Sequence, residues 1–288
     1  MLGEDFTKAR SSWLYPREPQ QNFWRALLIG VGVFVAYQLL QGVLALAIYL
    51  VAFHGGLGEL SGMVGSGNST TTSPTQALMY KSGLLSIFPS GVIVAALVLY
   101  LSQFGLPGRM GKLPVEWPKI NFLGWALIVV GFILVMLFAA SGVFQALGLD
   151  PSAYEVSSKG LSDTASKAGI IEKTLADMAN DPLLLGFGAL SAIIGAPLAE
   201  EFLFRGLLFA GIAKTRAGWP GAVLISAGTW AVAHAFGAPW IFVGVIFGMG
   251  LILGLLMLRF GSLWVTIACH TAWNVLVTLP MFSLGSHT

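Results

Sequence analysis

Seven runs of about twenty or more mostly apolar residues, near 24–53, 83–104, 121–147, 183–213, 220–236, 239–258 and 262–283, constrain this chain more than any other feature. Hydrocarbon offers no water to a backbone N–H or C=O, so a run of this length crosses a bilayer as a helix, which bonds its own backbone. The runs predict an all-α, polytopic membrane helix bundle of seven transmembrane helices, or eight if the long fourth run holds a further short segment. Composition agrees. Of the 288 residues 56% are hydrophobic and 10% charged, against roughly a quarter charged in a soluble domain. A net charge of +2 gives no reason to expect a nucleic-acid partner, and the one cysteine, Cys269, excludes an intrachain disulfide or a multi-cysteine metal site. Chemistry must then come from Glu, Asp, His, Ser or Asn.

Lys and Arg set the expected orientation, because cytoplasmic connections carry the excess. Lys8, Arg10, Arg17 and Arg25, then Arg109, Lys112 and Lys119, then Lys214 and Arg216, and finally Arg259 all fall on one side. The amino terminus is therefore expected inside and the carboxyl terminus outside. Residues 1–23 read as a cytoplasmic flank, 24–182 as an amino-terminal transmembrane region, 183–283 as the region holding the chemistry, and 284–288 as a tail. Within the second, 61–76 is Ser, Thr and Gly-rich and reads as a flexible loop, with Asn68-Ser69-Thr70 a weak glycosylation pattern. Residues 163–180 place Ala168, Ile171, Leu175 and Met178 on one face among charges, the pattern of an outer interfacial helix. No cleavable signal peptide is expected, since the first apolar run is too long for one.

Ionisable residues inside spans cost roughly 2.5–3.5 kcal/mol each and are functional-site candidates by default. The fourth run holds three: Glu200, Glu201 and Arg205. Glu201 and Arg205 stand at i,i+4 with the acid nearer the amino end, the favourable order for a helical ion pair. Glu200 is rotated about 100° from Glu201 on a helix and has no local cation. Pro197 is expected to deprive the Ile193 carbonyl of its donor and to kink or restart the helix. A restart would put both acids in a first turn, where the helix dipole favours the carboxylate and burial favours the neutral acid; these are the opposed demands on a general base. In the fifth run Trp230 and His234 share a face at i,i+4, and in the seventh His270 and Asn274 do the same. The latter spacing suits two neutral donors aimed at an oxyanion. Gly244, Gly248, Gly250 and Gly254 in the sixth run form two small-xxx-small pairs, read as helix packing. Cys269 reads as an inert buried thiol, and His54 and His287, in outer flanks, are assigned no role.

Together Glu200-Glu201-x-x-x-Arg205, Trp230-x-x-x-His234 and His270-x-x-x-Asn274 resemble the three motifs of the type II CAAX prenyl endopeptidases and their bacterial relatives, the CPBP or ABI intramembrane proteases. The resemblance covers roughly residues 183–283, with Trp230 where Phe is the commoner aromatic. It implies a glutamate-dependent endopeptidase in which Glu200, helped by His234, activates water, and His270 and Asn274 hold the oxyanion. Glu201 and Arg205 would orient the helix, and Arg205 could also face the substrate's carboxylate. No cofactor is expected. The alternative is zinc held by Glu200, His234 and His270, a two-His, one-carboxylate set, though no His-Glu-x-x-His stretch occurs. The implied partners are the lipid bilayer and a protein or peptide substrate cut in its carboxyl-terminal region. The expected home is a bacterial inner membrane.

Two other function classes fit the same residues. A proton-coupled transporter or channel would use Glu200, His234 and His270 as a relay. Inverted repeats are not visible, however, and the polar residues cluster in the last third. A scaffold or immunity protein would keep the site and act by binding.

Overall fold

The computed structural model describes residues 22–56, 58, 74–103, 113, 115–148, 181–235 and 240–284. The reading of 163–180 as an interfacial helix, the loop reading of 61–73, the flank before residue 22 and the tail after 284 lie outside these. Among the described residues there is no strand, and helices account for all seven apolar runs. They are α1 (Phe23–Val51), α2 (Pro74–Gln103), α3 (Phe122–Ala146), α4 (starting at Pro182 and ending at Ala213), α5 (Gly218–His234), α6 (Trp240–Phe260) and α7 (Leu263–Leu284). α2 starts well ahead of its apolar core, at Pro74, inside the stretch read as loop from its Ser, Thr and Gly content.

Local chemistry sets several boundaries. The Asn22 carboxamide accepts from the backbone N–H of Trp24 (2.9 Å), and that of Asn121 from Gly124 (2.8 Å). The Asp181 carboxylate accepts from Leu183 (3.0 Å) and Leu184 (3.2 Å). Each satisfies donors that a first helical turn leaves open. Gly261 turns the chain between α6 and α7 at φ 61°, a left-handed conformation that costs glycine no Cβ clash.

Five helices are long and apolar enough to cross a membrane: Phe23–Val51, Pro74–Tyr100, Phe122–Ala146, Leu183–Ala213 and Trp240–Phe260. α5 has 17 residues, and Leu263–Thr278 is a shorter apolar helix. Large apolar side chains project outward from these helices, as Leu28, Leu39, Phe122 and Phe138 do. Water penalises such exposure, whereas lipid tails are as apolar as the side chains. The protein is an integral membrane protein.

The chain divides into two compact units. The first takes residues from 1–37, 91–136 and 197–271, and the second from 38–90, 137–196 and 272–288. In the first, α4 is the buried centre: every residue from Glu201 to Phe209 is buried. Phe204 meets Phe34 of α1 with ring centroids 5.6 Å apart, and the Ser226 hydroxyl on α5 donates to the Phe204 carbonyl at 2.9 Å. The segment before α3 is tied to the start of α7 by two bonds, Ser262 Oγ to the Glu116 carbonyl (2.9 Å) and Trp264 Nε1 to the Val115 carbonyl (2.8 Å). In the second unit Gly195 lies against Phe88 so closely that a Cβ would fall 2.6 Å from the Phe88 Cα.

The α6 glycines divide by face. A Cβ on Gly250 would fall 2.9 Å from the Ala227 backbone, and one on Gly254 3.3 Å from Val223, whereas Gly244 and Gly248 face open space. One of the two glycine pairs therefore permits close approach of α5 and α6. Gly250→Ala is expected to cost about 1–3 kcal/mol by overpacking, and Gly244→Ala to be neutral or slightly stabilising through helix propensity. Thermal unfolding in detergent checks the contrast.

Candidate active site

α4 carries two π-helical stretches on its way through the site. Pro182–Leu190, Ala196–Glu200 and Ala210–Ala213 are α-helical, while Ser191–Gly195 and Glu201–Phe209 are π-helical. Leu190, Ala196, Glu200 and Ala210 all keep right-handed helical angles, so the helix does not restart at Pro197. The first-turn dipole argument for Glu200 and Glu201 therefore lapses. The change of register also touches a second carbonyl beside the expected Ile193. The Ala196 N–H bonds the Ser191 carbonyl five residues back. In that register the next donor would come from position 197 to Ala192, and proline has none.

The chemistry-bearing side chains of the first unit converge around these acids. Glu201 and Arg205 are fully buried, with Arg205 Nη1 donating to Glu201 Oε1 at 2.9 Å, as their spacing predicts. The same Oε1 lies 2.9 Å from His270 Nδ1 on α7. Glu200 is partly open, its side chain 18% exposed. Its Oε2 accepts from the Trp230 indole N–H at 2.6 Å. His234 Nε2 stands 3.9 Å from Glu200 Oε1, and His270 Nε2 stands 3.9 Å from Oε2, beyond direct hydrogen bonding. His234 Nδ1 lies 2.9 Å from the Trp230 carbonyl.

These contacts fix both imidazoles. A backbone carbonyl only accepts, so His234 Nδ1 carries a hydrogen. A carboxylate already bonded to Arg205 also only accepts, so His270 Nδ1 carries one too. Both Nε2 atoms are thereby turned toward Glu200. Trp230 organises the cluster: its ring meets those of His234 and His270 edge-on, with centroids 5.4 and 5.2 Å apart, and the Arg205 guanidinium carbon sits 4.4 Å from its centroid. That cation–π contact faces a guanidinium whose Nε and Nη2 are buried without a hydrogen-bond partner among the described residues.

Asn274 belongs to the second unit, where its Nδ2 donates to the Ala192 carbonyl at 2.8 Å. Both donors suggested by His-x-x-x-Asn thus have one N–H committed, His270 to Glu201 and Asn274 to Ala192. The sequence reading missed the Trp230 indole as a donor to Glu200. Its signal was that Trp, unlike Phe, brings an N–H that a buried site must place. Cys269 is buried, consistent with its reading as a core thiol.

Tetrahedral zinc at 2.0–2.1 Å holds its donor atoms about 3.4 Å apart, closer than the 3.9 Å between each Nε2 and Glu200. Among the described residues no group of three or more His, Cys, Asp or Glu is arranged to hold a metal ion. The alternative set of Glu200, His234 and His270 therefore fits zinc poorly, and no step is routed through a metal.

Residues 182–276 match the family model described as type II CAAX prenyl endopeptidase Rce1-like. This part of the chain is similar to that family. No curated protein and no solved structure matches the chain. The matched segment contains Glu200, Glu201, Arg205, Trp230, His234, His270 and Asn274, and the family it resembles is one of proteases.

Proposed function

We propose that the protein is an intramembrane endopeptidase that hydrolyses a peptide bond of a membrane-associated protein or peptide, with Glu200 as general base. The observation that carries this reading is the contrast between two adjacent acids. Glu201 is sealed and neutralised by Arg205, whereas Glu200 is partly open and faced by two imidazole Nε2 atoms. A water bonded to two atoms 3.9 Å apart makes two hydrogen bonds of about 2.8 Å at roughly a right angle. Glu200 Oε1 and His234 Nε2 offer that separation. Glu200 takes a proton from this water as its oxygen attacks the scissile carbonyl, and the C–O bond forms as the carbonyl oxygen becomes an oxyanion. Collapse breaks the C–N bond, and the proton held by Glu200 passes to the leaving amine.

His270, held by Glu201, donates from Nε2 to the oxyanion when its ring is doubly protonated. Asn274 keeps a second amide hydrogen for the same charge, on the strength of its spacing. Trp230 holds the Glu200 carboxylate in orientation. The family description supports a substrate cut near its carboxyl terminus. We read all seven helices as spans of a bacterial inner membrane, amino terminus inside, from the placement of Lys and Arg.

The mechanism proposed is metal-free. Protein purified without added metal is expected to retain full activity in strong chelator, with metal analysis well below one equivalent. Stoichiometric zinc together with loss of activity on chelation would overturn it. For the function itself, membrane fractions of cells carrying the wild type or Glu200→Gln are compared by proteomics. The variant is expected to accumulate at least one uncut precursor with a defined missing cleavage, and identical terminal peptides in the two would count against proteolysis.

A further inference from the structure

Helix α4 is continuous through Pro197 and changes register just before it, and the change strands the Ala192 carbonyl. In an α-helix the Ala192 carbonyl accepts from residue 196, and in a π-helix from residue 197. The first donor is spent, since the Ala196 N–H bonds Ser191. The second does not exist, since residue 197 is proline. A carbonyl deprived of both and shielded from water costs about as much as a lost hydrogen bond, or more. It is met instead by the carboxamide of Asn274, 82 residues away in sequence, at 2.8 Å.

We propose that Asn274 is a positioning residue. Its Nδ2–H supplies the bond that Pro197 denies to the Ala192 carbonyl, and so holds the π register of the turn that leads into Glu200 and Glu201. Pro197 stands three residues before Glu200, and a slip of this register by one residue turns the following side chains about the helix axis by roughly 100°. That rotation would move Glu200 away from Trp230 and His234. Asn274 thus acts through α4, and this first amide hydrogen is distinct from any hydrogen offered to a reacting carbonyl. The kinetic part rests on the function proposed above; the stability part does not.

The two roles separate because only one depends on Pro197. In Pro197→Ala the chain regains an N–H at the position where the π register needs it, so the Ala192 carbonyl no longer depends on Asn274. Asn274→Ala, and the isosteric Asn274→Asp, which has no N–H to give, are made in both backgrounds. Melting temperature in detergent and kcat and KM for a cleavable peptide are measured on the full-length protein. With Pro197 present, Asn274→Ala is expected to lower the melting temperature by several degrees and kcat at least tenfold with little change in KM. In the Pro197→Ala background the melting loss falls to about one degree or less, and the part of the kcat loss that passes through α4 is recovered relative to the Pro197→Ala parent, leaving the smaller loss due to the oxyanion hydrogen. A single variant that fails to fold while its double partner folds supports the same conclusion. Equal melting losses in the two backgrounds would overturn the assignment, as would a kcat loss untouched by Pro197→Ala. If no peptide is cleaved by any form, the function proposed above fails, while the melting comparison still decides whether Asn274 replaces the missing donor.

Discussion

Glu200→Gln is expected to lower kcat/KM by about a thousandfold or more while leaving the melting temperature within about two degrees of wild type. The substitution is nearly isosteric, and the amide oxygen of Gln still accepts from the Trp230 indole that now bonds Oε2 at 2.6 Å. What disappears is the ability to take a proton, and general base catalysis contributes typically 10²–10⁴-fold. The neighbouring acid cannot substitute, because Glu201 is fully buried and already accepts from Arg205 and His270. Initial rates on a quenched fluorescent peptide in proteoliposomes check the loss. Activity within tenfold of wild type would remove Glu200 from the role of base. Proton or solute flux in the same liposomes that survives Glu200→Gln, with no peptide cleaved by either form, would favour transport.

The second large effect lies in the sealed part of the cluster. Arg205→Met is expected to destabilise the protein by about 3–5 kcal/mol, because it leaves Glu201 buried and charged without its cation. Glu201→Leu strands the guanidinium in the same way and also removes the acceptor for His270 Nδ1. The double variant Glu201→Leu, Arg205→Met is expected to recover most of the lost stability, since an apolar pair of similar volume removes both charges. It should remain inactive, because the His270 ring loses the partner that fixes its tautomer. Unfolding of the four proteins forms a double-mutant cycle whose coupling energy should exceed about 2 kcal/mol. Additive losses would mean that the two charges do not depend on each other.

Much of this arrangement was legible in the residues, for reasons that can be traced. The Glu201–Arg205 pair could be read because its geometry is local: i,i+4 spacing on one helix brings the groups together whatever else happens. The three motif pairs could be listed for the same reason. What spacing could not supply was the relation between helices. That His270 would bridge the two acids, Nδ1 on Glu201 and Nε2 facing Glu200, depends on where α7 lies against α4. That the Trp230 indole would bond Glu200, thirty residues away, depends on α5. The glycines of α6 show the same limit, since only Gly250 and Gly254 meet a neighbouring helix.

Pro197 marks the boundary between the two kinds of information. Its missing N–H was evident from residue type, but which carbonyl would suffer depended on a register that hydropathy does not encode. Residue type pointed to Ile193; the π turn added Ala192, and Asn274 met it. By itself the sequence determined that this chain lives in a membrane as helices, because apolar runs of that length satisfy their backbones in no other way, and that its charges are too few and too costly to be incidental. Spacing named the glutamate that pairs with the arginine; tertiary structure alone decided that this pair is sealed and that the other glutamate is left open beside two imidazoles. Burial and tautomer are set by the neighbours a side chain meets across helices, and one-dimensional spacing carries no measure of that distance.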